Sequence, residues 1–269
     1  MIKVAISVVC FNNEKEIIKF AQNLALQKDK DKLALLITCN ECKKMKFLKE
    51  EIKKIDIITR VYSLPENLGY LQGCLKGLEQ FEEQYEWAVI SNTDIEFDSI
   101  MFFSKFIEKK YSNDVAYIGP DIRLKASGES QNPFMLKRPS KAKMKMLQVM
   151  YSTVFLFRLY FGIATLKNNL NRKNCVCDEK IMQTYALHGS FFFLKKEIIE
   201  KIIKDAVEIF MYEEEIYIAE MVARNHKLAL YDGELHIVHN ENQVTGKINY
   251  VKKQQWFKNS IDYIVNRFY

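Results

Sequence analysis

The chain has 269 residues, 48% of them apolar and 28% charged, with a formal net charge of +6. This is the balance of an ordinary folded protein, with length enough for one large α/β domain or two small ones, and it excludes a disordered chain. The positive charge is modest and scattered. Without a basic stripe interleaved with aromatics it argues against a nucleic-acid partner, whereas an anionic ligand or an anionic membrane surface fits.

The opening run MIKVAISVVCFNN has too short an apolar core for a signal peptide and lacks a small-residue cleavage site. The expectation is a cytoplasmic protein with free thiols. The six cysteines are Cys10, Cys39, Cys42, Cys74, Cys175 and Cys177. The pairs Cys39–Cys42 and Cys175–Cys177 can in principle offer four thiolates to zinc. Cys39 ends a strand, however, and a single residue separates the second pair, so ordinary buried or surface thiols are expected instead.

Strand and helix signals alternate through the first third. Val4–Cys10 reads as a buried strand, followed by an amphipathic helix from Glu14 to Gln27 with Ile17, Ile18, Ala21, Leu24 and Ala25 on one face. Leu33–Thr38 is a second strand, Met45–Ile55 a second helix and Ile57–Tyr62 a third strand. A Pro-Glu-Asn-Leu-Gly loop leads into a helix from Tyr70 to Phe81, and Trp87–Ser91 is a fourth strand. This spacing predicts βαβ units and a mostly parallel sheet covered by helices. Ligands of such sheets lie beyond the carboxyl ends of the strands, which singles out Asn12, Asn40, Asn67 and Asp94.

The second half is less regular. Val115–Ile118 reads as a strand and Gly119–Pro139 as a loop or hairpin, with turn signals at Ser127-Gly128 and Asn132-Pro133. Over residues 140–172 the cations Lys141, Lys143, Lys145, Arg158, Lys167 and Arg172 surround an apolar set from Met146 to Phe161. Lys145 and Arg158 leave too short an uninterrupted stretch to span a bilayer. Two readings stand: a helical excursion packed on its own domain, or a basic amphipathic segment lying in a membrane interface. No repeat or low-complexity linker interrupts the chain, so one domain carrying an insertion is expected.

The chemistry concentrates in a few stretches. In Asn92-Thr93-Asp94-Ile95-Glu96 a strand runs into two acids at i and i+2, which in extended backbone face the same side and can share one Mg²⁺ or Mn²⁺; a solvated acidic turn is the alternative. The glycines of Glu66-Asn67-Leu68-Gly69-Tyr70 allow close backbone approach at a helix N-terminus, or Asn67 simply caps that helix. His188-Gly189-Ser190-Phe191 and Phe210-Met211-Tyr212-Glu213-Glu214-Glu215 follow, and after them the stretch from Tyr231 to His239. Adjacent glutamates raise one another's pKa, which suits a general base, although a helix N-terminus favours acids on structural grounds alone.

In this order the motifs resemble family 2 of the inverting glycosyltransferases, in particular the rhamnosyltransferase-like branch of bacterial surface-polysaccharide synthesis (capsule, lipopolysaccharide). The resemblance covers nearly the whole chain. It implies a GT-A fold, with residues 1–98 as the nucleotide-sugar half and 99–269 as the acceptor half. It also implies nucleotide-sugar contacts from Phe11, Asn12, Asn40, Asn67, Gly69, Asn92 and Asp94. Asp94, Glu96 and His239 are implied as metal ligands, His188, Gly189 and Ser190 as the acceptor wall, and Glu215 or Glu214 as the base. The implied donor is a nucleoside-diphosphate sugar and the acceptor a glycan or lipid-linked glycan; if the acceptor is lipid-linked, the 140–172 segment would hold the enzyme at the cytoplasmic face of the inner membrane. Two positions depart from the family. Thr38-Cys39-Asn40-Glu41 replaces an Asp-Asn-x-Ser turn, leaving Asn40 as a partial substitute, and Tyr217 stands where a second acid is usual. A degenerate, non-catalytic sugar-binding protein remains an alternative. A nucleotidyltransferase is a weaker one, because Phe11-Asn12-Asn13-Glu14 lacks a glycine-rich cationic loop.

Overall fold

The computed structural model describes residues 1–170, 180–241 and 249–269. Cys175, Cys177 and Arg172 lie outside them.

The expected alternation is present in the first third. Strands β1 (Val4–Phe11), β2 (Leu33–Glu41), β3 (Ile58–Ser63) and β4 (Trp87–Ser91) alternate with helices α1 (Glu14–Ala25), α2 (Met45–Ile52) and α3 (Tyr70–Glu79). The strands pair in parallel in the order β3-β2-β1-β4. Both faces of this half are covered, so β2 is buried over eight successive residues before Glu41 and reads as a continuous apolar run rather than an alternation.

The second half continues the same sheet. Helix α4 (Phe102–Glu108), with four of its seven residues buried, lies between the short β5 (Ile95–Glu96) and the long β6 (Val115–Leu124). Strands β7 (Ile181–Thr184), β8 (Phe191–Lys195) and β9 (Leu228–His239) bring the described sheet to nine strands. Six strands point one way, namely β1, β2, β3, β4, β6 and β9, while β5, β7 and β8 run against their neighbours.

The loop expected from Gly119 begins later. Strand β6 carries on through Gly119 and Pro120 to Leu124, and its register with β9 shifts between Pro120 and Asp121. Proline cannot donate to a ladder, and an irregularity of this kind is where a strand tolerates one. The hairpin turn then falls at Ser127-Gly128, closed by Gly128 N–H to Leu124 O at 2.8 Å.

Helices α5 (Lys141–Tyr151) and α6 (Val154–Leu170) form the excursion in the second half. One side of it is core: Met144, Leu147, Tyr151 and Phe157 are buried, packed with α9 (Tyr250–Phe268) through Phe257 and Tyr250. The other side exposes Met146, Val149, Phe155, Leu159 and Ile163, with Phe155 at 74%. The segment is therefore helical, with one face packed on the rest of the chain and the other exposed. Among the described residues no helix is long and apolar enough to cross a membrane. The remaining helices, α7 (Lys196–Lys204) and α8 (Glu214–Arg224), complete the layer that presents the glutamates.

Candidate active site

The site lies beyond the carboxyl ends of the parallel strands. Strand β1 ends in Phe11, 42% exposed, and in Asn12, held at φ 57°. The side-chain oxygen of Asn12 is buried without a hydrogen-bond partner, a costly state for a polar atom unless a ligand meets it. Asn13 Nδ2 donates to Thr93 Oγ1 at 2.9 Å, which fastens the turn after β1 to the loop after β4.

That loop is held on two sides. Asn92 N–H donates to Ser190 O at 2.7 Å, and Asn240 N–H donates to Asp94 O at 2.9 Å. Short antiparallel pairing of β5 with β9 places Ile95 opposite His239. Asp94 Oδ1 consequently lies 3.2 Å from His239 Nε2, with both side chains almost fully buried. His239 Nδ1 is 2.7 Å from Gln131 Oε1. A carbonyl oxygen can only accept, so Nδ1 carries a proton there, and Nε2 is the ring nitrogen that faces Asp94. Fixing a ring through its second nitrogen is how ligating histidines are oriented. The 3.2 Å spacing is about that of adjacent donors in an octahedral shell with bonds of roughly 2.1–2.2 Å. Asp94 and His239 thus fit a divalent cation.

Glu96 does not join them. Its carboxylate is bound by Lys125 Nζ at 2.8 Å and by Lys19, and those two ammonium groups hold its pKa down to about 2. Asp94, Glu96 and His239 do not bring their ligand atoms together within 4.8 Å. The i, i+2 argument fails here because Ile95 and Glu96 are committed to pairing with β9, and Glu96 then faces the α1 lysine rather than Asp94.

The Gly69 loop is tied to both flanks. Gly69 has φ 79°, and a Cβ there would stand 1.9 Å from Phe210 O, so only glycine lets Tyr70 N–H reach that carbonyl at 3.1 Å. Asn67 does not cap α3; its Oδ1 accepts the Gly69 N–H at 2.9 Å instead. Asn40 spends its side chain on the same loop, donating from Nδ2 to Gly69 O at 2.6 Å and accepting from Leu68 N–H at Oδ1. It is buried and holds the loop rather than projecting towards a base.

Beyond Phe210 the chain enters α8 through Tyr212 and Glu213, two consecutive non-glycine residues in the left-handed region, φ 69° and 64°. Such strain is typical of functional turns, and its effect is to aim Glu214 and Glu215 at Gly189. Gly189 N–H donates to Glu215 Oε1 at 3.1 Å, and a Cβ on Gly189 would meet Glu215 Oε1 at 2.7 Å and Glu214 Oε1 at 3.3 Å. Tyr70 OH donates to Gly189 O at 2.9 Å, closing the ring of contacts. Burial raises the pKa of Glu215; burial and then the neighbouring Glu215 charge raise that of Glu214 further, well above the carboxylate range. Burial and Glu215 also push Glu213 up to about 7. The Gly189 amide favours the ionised form of Glu215. Glu214 Oε2 is buried without a partner.

His188 bridges the two groups. Its ring lies 6.1 Å from that of His239, and its Nδ1 accepts the Ser190 N–H at 3.2 Å and the Ser190 hydroxyl at 2.8 Å. Burial, then the proximity of His239, lowers its pKa to about 4, so it is neutral at physiological pH. Asp94, His239, His188, Gly189, Ser190, Glu214 and Glu215 thus form one continuous wall. Sequence reasoning missed Gln131, Tyr70 and Asn132, which orient His239 and hold Gly189 and His188. Only their long-range pairing reveals them.

No family profile and no curated protein matches the chain in sequence. In structure it is similar to the mannosyltransferase PcManGT from Pyrobaculum calidifontis in complex with GDP-Man and Mn²⁺, at TM-score 0.58 and 11% identity over 98% of this chain and 69% of that one. It is similar to GalNAc-T7 with UDP, GalNAc and Mn²⁺, at TM-score 0.63 and 10% identity over 98% of this chain and 48% of the other. It is also similar to residues 1–349 of S. aureus TarS in complex with UDP-GlcNAc, at TM-score 0.59 and 10% identity, covering 92% of this chain and 62% of that chain. At these identities the likeness is one of fold: the chain has the GT-A fold, a mostly parallel central sheet flanked by helices.

Proposed function

We propose that the chain is a glycosyltransferase that moves a sugar from a nucleoside-diphosphate sugar to a hydroxyl of a glycan or lipid-linked glycan, with inversion and with help from Mg²⁺ or Mn²⁺. The observation that carries this reading is the placement of the Asp94–His239 pair and the Glu214–Glu215 pair on one wall at the carboxyl ends of the strands. The fold is shared with enzymes whose complexes hold GDP-Man with Mn²⁺, UDP with Mn²⁺, and UDP-GlcNAc.

In this reading Phe11 and Asn12 contact the nucleoside, and Asp94 and His239 hold the cation. When bound, the cation neutralises charge on the departing diphosphate. Glu215 takes the proton of the acceptor hydroxyl at its carboxylate as that oxygen attacks the anomeric carbon from the opposite face. A raised pKa makes Glu215 a stronger proton acceptor than a solvated glutamate, while the Gly189 amide favours its ionised form. Neutral His188 and the Ser190 hydroxyl wall the acceptor side without adding charge. Glu96 is assigned to binding Lys19 and Lys125 rather than the cation.

The exposed apolar face of α5 and α6, flanked by exposed Lys141, Lys143, Lys145 and Arg158, supports peripheral contact with an anionic membrane. That is where a lipid-linked acceptor for bacterial surface polysaccharide would be glycosylated.

The test is a thermal-shift screen of UDP, GDP, dTDP and their sugars, with and without Mn²⁺, on wild type and Asp94→Ala. Stabilisation that needs both nucleotide and Mn²⁺ and vanishes in Asp94→Ala supports the reading. No shift with any nucleotide at millimolar concentration refutes it.

A further inference from the structure

Among the described residues one further group of ligating side chains converges, outside the wall just described. Cys10 and Cys39 are register partners on adjacent parallel strands, so their side chains leave the sheet side by side. The chain irregularity between Cys10 and Phe11 and the end of β2 at Glu41 then bring Cys42 back towards them. The three sulfurs lie within 4.8 Å of one another. In a tetrahedral thiolate site with bonds of about 2.3 Å, neighbouring sulfurs are roughly 3.8 Å apart, so small side-chain movements suffice to close the set.

Further donors stand beside the thiols. Glu14 Oε1 is 3.4 Å from Cys42 Sγ and is steadied by Lys44 N–H at 2.8 Å. Met45 Sδ lies 4.0 Å from Cys39 Sγ. Cys10, Cys39 and Glu14 are all buried, in a layer otherwise made of residues such as Val8, Ile17, Ile37 and Leu48. Hydrocarbon would fill that layer without the desolvation cost of a carboxylate. Three sulfurs rather than two also fit a shared cation better than a disulfide.

We propose that Cys10, Cys39 and Cys42, with Glu14 or Met45 as the additional donor, bind one thiophilic cation, Zn²⁺ or Cu⁺. The cation would pin the ends of β1 and β2 to the start of α1 through Glu14 or to α2 through Met45. These elements carry Asn12 and Asn40, so the site would stiffen the nucleoside side of the cleft without taking part in chemistry.

The experiment titrates the full chain, reduced with a phosphine, with Zn²⁺ and separately with Cu⁺ against chromophoric chelators. Metal content after gel filtration gives the stoichiometry, and Co²⁺ serves as an optical probe of thiolate ligation. One equivalent of either cation is expected on wild type, with thiolate charge-transfer absorption in the Co²⁺ form. The partly exposed Cys42→Ser variant should lose at least tenfold in affinity and show no metal-induced rise in Tm, and Cys39→Ser should behave alike. Binding should persist in Asp94→Ala and in the double variant Cys175→Ser/Cys177→Ser. No stoichiometric binding of either cation would overturn the proposal. So would full affinity in Cys42→Ser, loss in the Cys175→Ser/Cys177→Ser control, or dependence on Asp94.

Discussion

Replacing Gly69 with alanine should be the most damaging small substitution near the site. The new methyl group would lie 1.9 Å from Phe210 O and 2.7 Å from its carbonyl carbon, and the backbone at φ 79° admits a side chain poorly. With ψ at −161° this is an extended positive-φ conformation essentially confined to glycine, and holding a residue with a Cβ there costs about 1–3 kcal/mol. Relief of the clash must move backbone, because the obstructing atoms are not the end of a flexible side chain, and overpacking of this kind costs about 1–3 kcal/mol. Displacement weakens Tyr70 N–H to Phe210 O and Asn40 Nδ2 to Gly69 O, at about 1 kcal/mol each. These contributions overlap, and a total of about 3–5 kcal/mol is expected. Urea unfolding followed by tryptophan fluorescence measures it, since Trp256 packs on Phe210 with ring centroids 5.1 Å apart. An unchanged m-value with a loss below about 1 kcal/mol would refute the claim that the Gly69 loop and the Phe210 segment are locked together.

Four further outcomes follow from the same geometry. Gly189→Ala, whose Cβ meets the movable Glu215 Oε1 at 2.7 Å, should leave Tm nearly unchanged but cut turnover about 10–100-fold, as expected for loss of one hydrogen bond to a charged group; wild-type kcat in a donor-transfer assay would count against Glu215 as base. Asp94→Asn should abolish Mn²⁺-dependent stabilisation by nucleotide while keeping the fold, read by differential scanning fluorimetry. For Glu213, the folded pKa of about 7 lies above its ordinary value, so the fold keeps the proton that the unfolded chain releases, and wild type loses stability as pH rises from about 5 to 8. Glu213→Gln should remove its own share of that loss, leaving the share of Glu214 and Glu215, and be more stable by about 1–2 kcal/mol at pH 8 but not at pH 5, the full shift being discounted for partial exposure; equal pH profiles in chemical denaturation would contradict it. Binding to vesicles rich in anionic lipid should fall at least about tenfold in Phe155→Ser/Leu159→Ser, since burying each side chain is worth about 1.5–3 kcal/mol, and sedimentation with the vesicles measures it.

The first third of the chain was legible because each strand there is buried on both faces and each helix has a single apolar stripe. Both patterns survive without knowledge of the partners. Strands β8 and β9 were not recognised because Phe191–Lys195 and Leu228–His239 form no repeating unit with their neighbours. Their partners lie far away in sequence, Phe193 opposite Val89 and His239 opposite Ile95. The same reason governs the site. Asp94 and Glu215 stand out locally as acids at element ends, whereas the role of Gln131 depends on a hairpin meeting the end of β9. Glu96 shows the converse error: its local spacing suggested a shared cation, and two lysines from α1 and the β6 hairpin settle its contacts instead.

The departures at Tyr217 and Asn40 bear on whether the wall is intact. Tyr217 is fully buried, its hydroxyl donating to Asp205 Oδ2 at 2.7 Å and its ring packed on Tyr263 and Phe268. An acid at that position would have to be buried against those rings, whereas tyrosine satisfies the site with one hydrogen bond and its aromatic surface. The substitution therefore belongs to the packing of α8 against α9 and leaves Glu214 and Glu215 in place. Asn40 is a different case, because both ends of its amide hold the Gly69 loop. A loop held from behind by Asn40 and from the front by Phe210 has little freedom to rearrange around a nucleobase. In the proposed function, discrimination among donors would then fall to the residues left with unspent polar or aromatic surface at the end of β1, the buried unpartnered oxygen of Asn12 and the exposed ring of Phe11. If Asn12→Ala weakens every nucleotide equally while Phe11→Ala changes their order of affinity, the ring makes the choice; the opposite pattern would assign it to the amide.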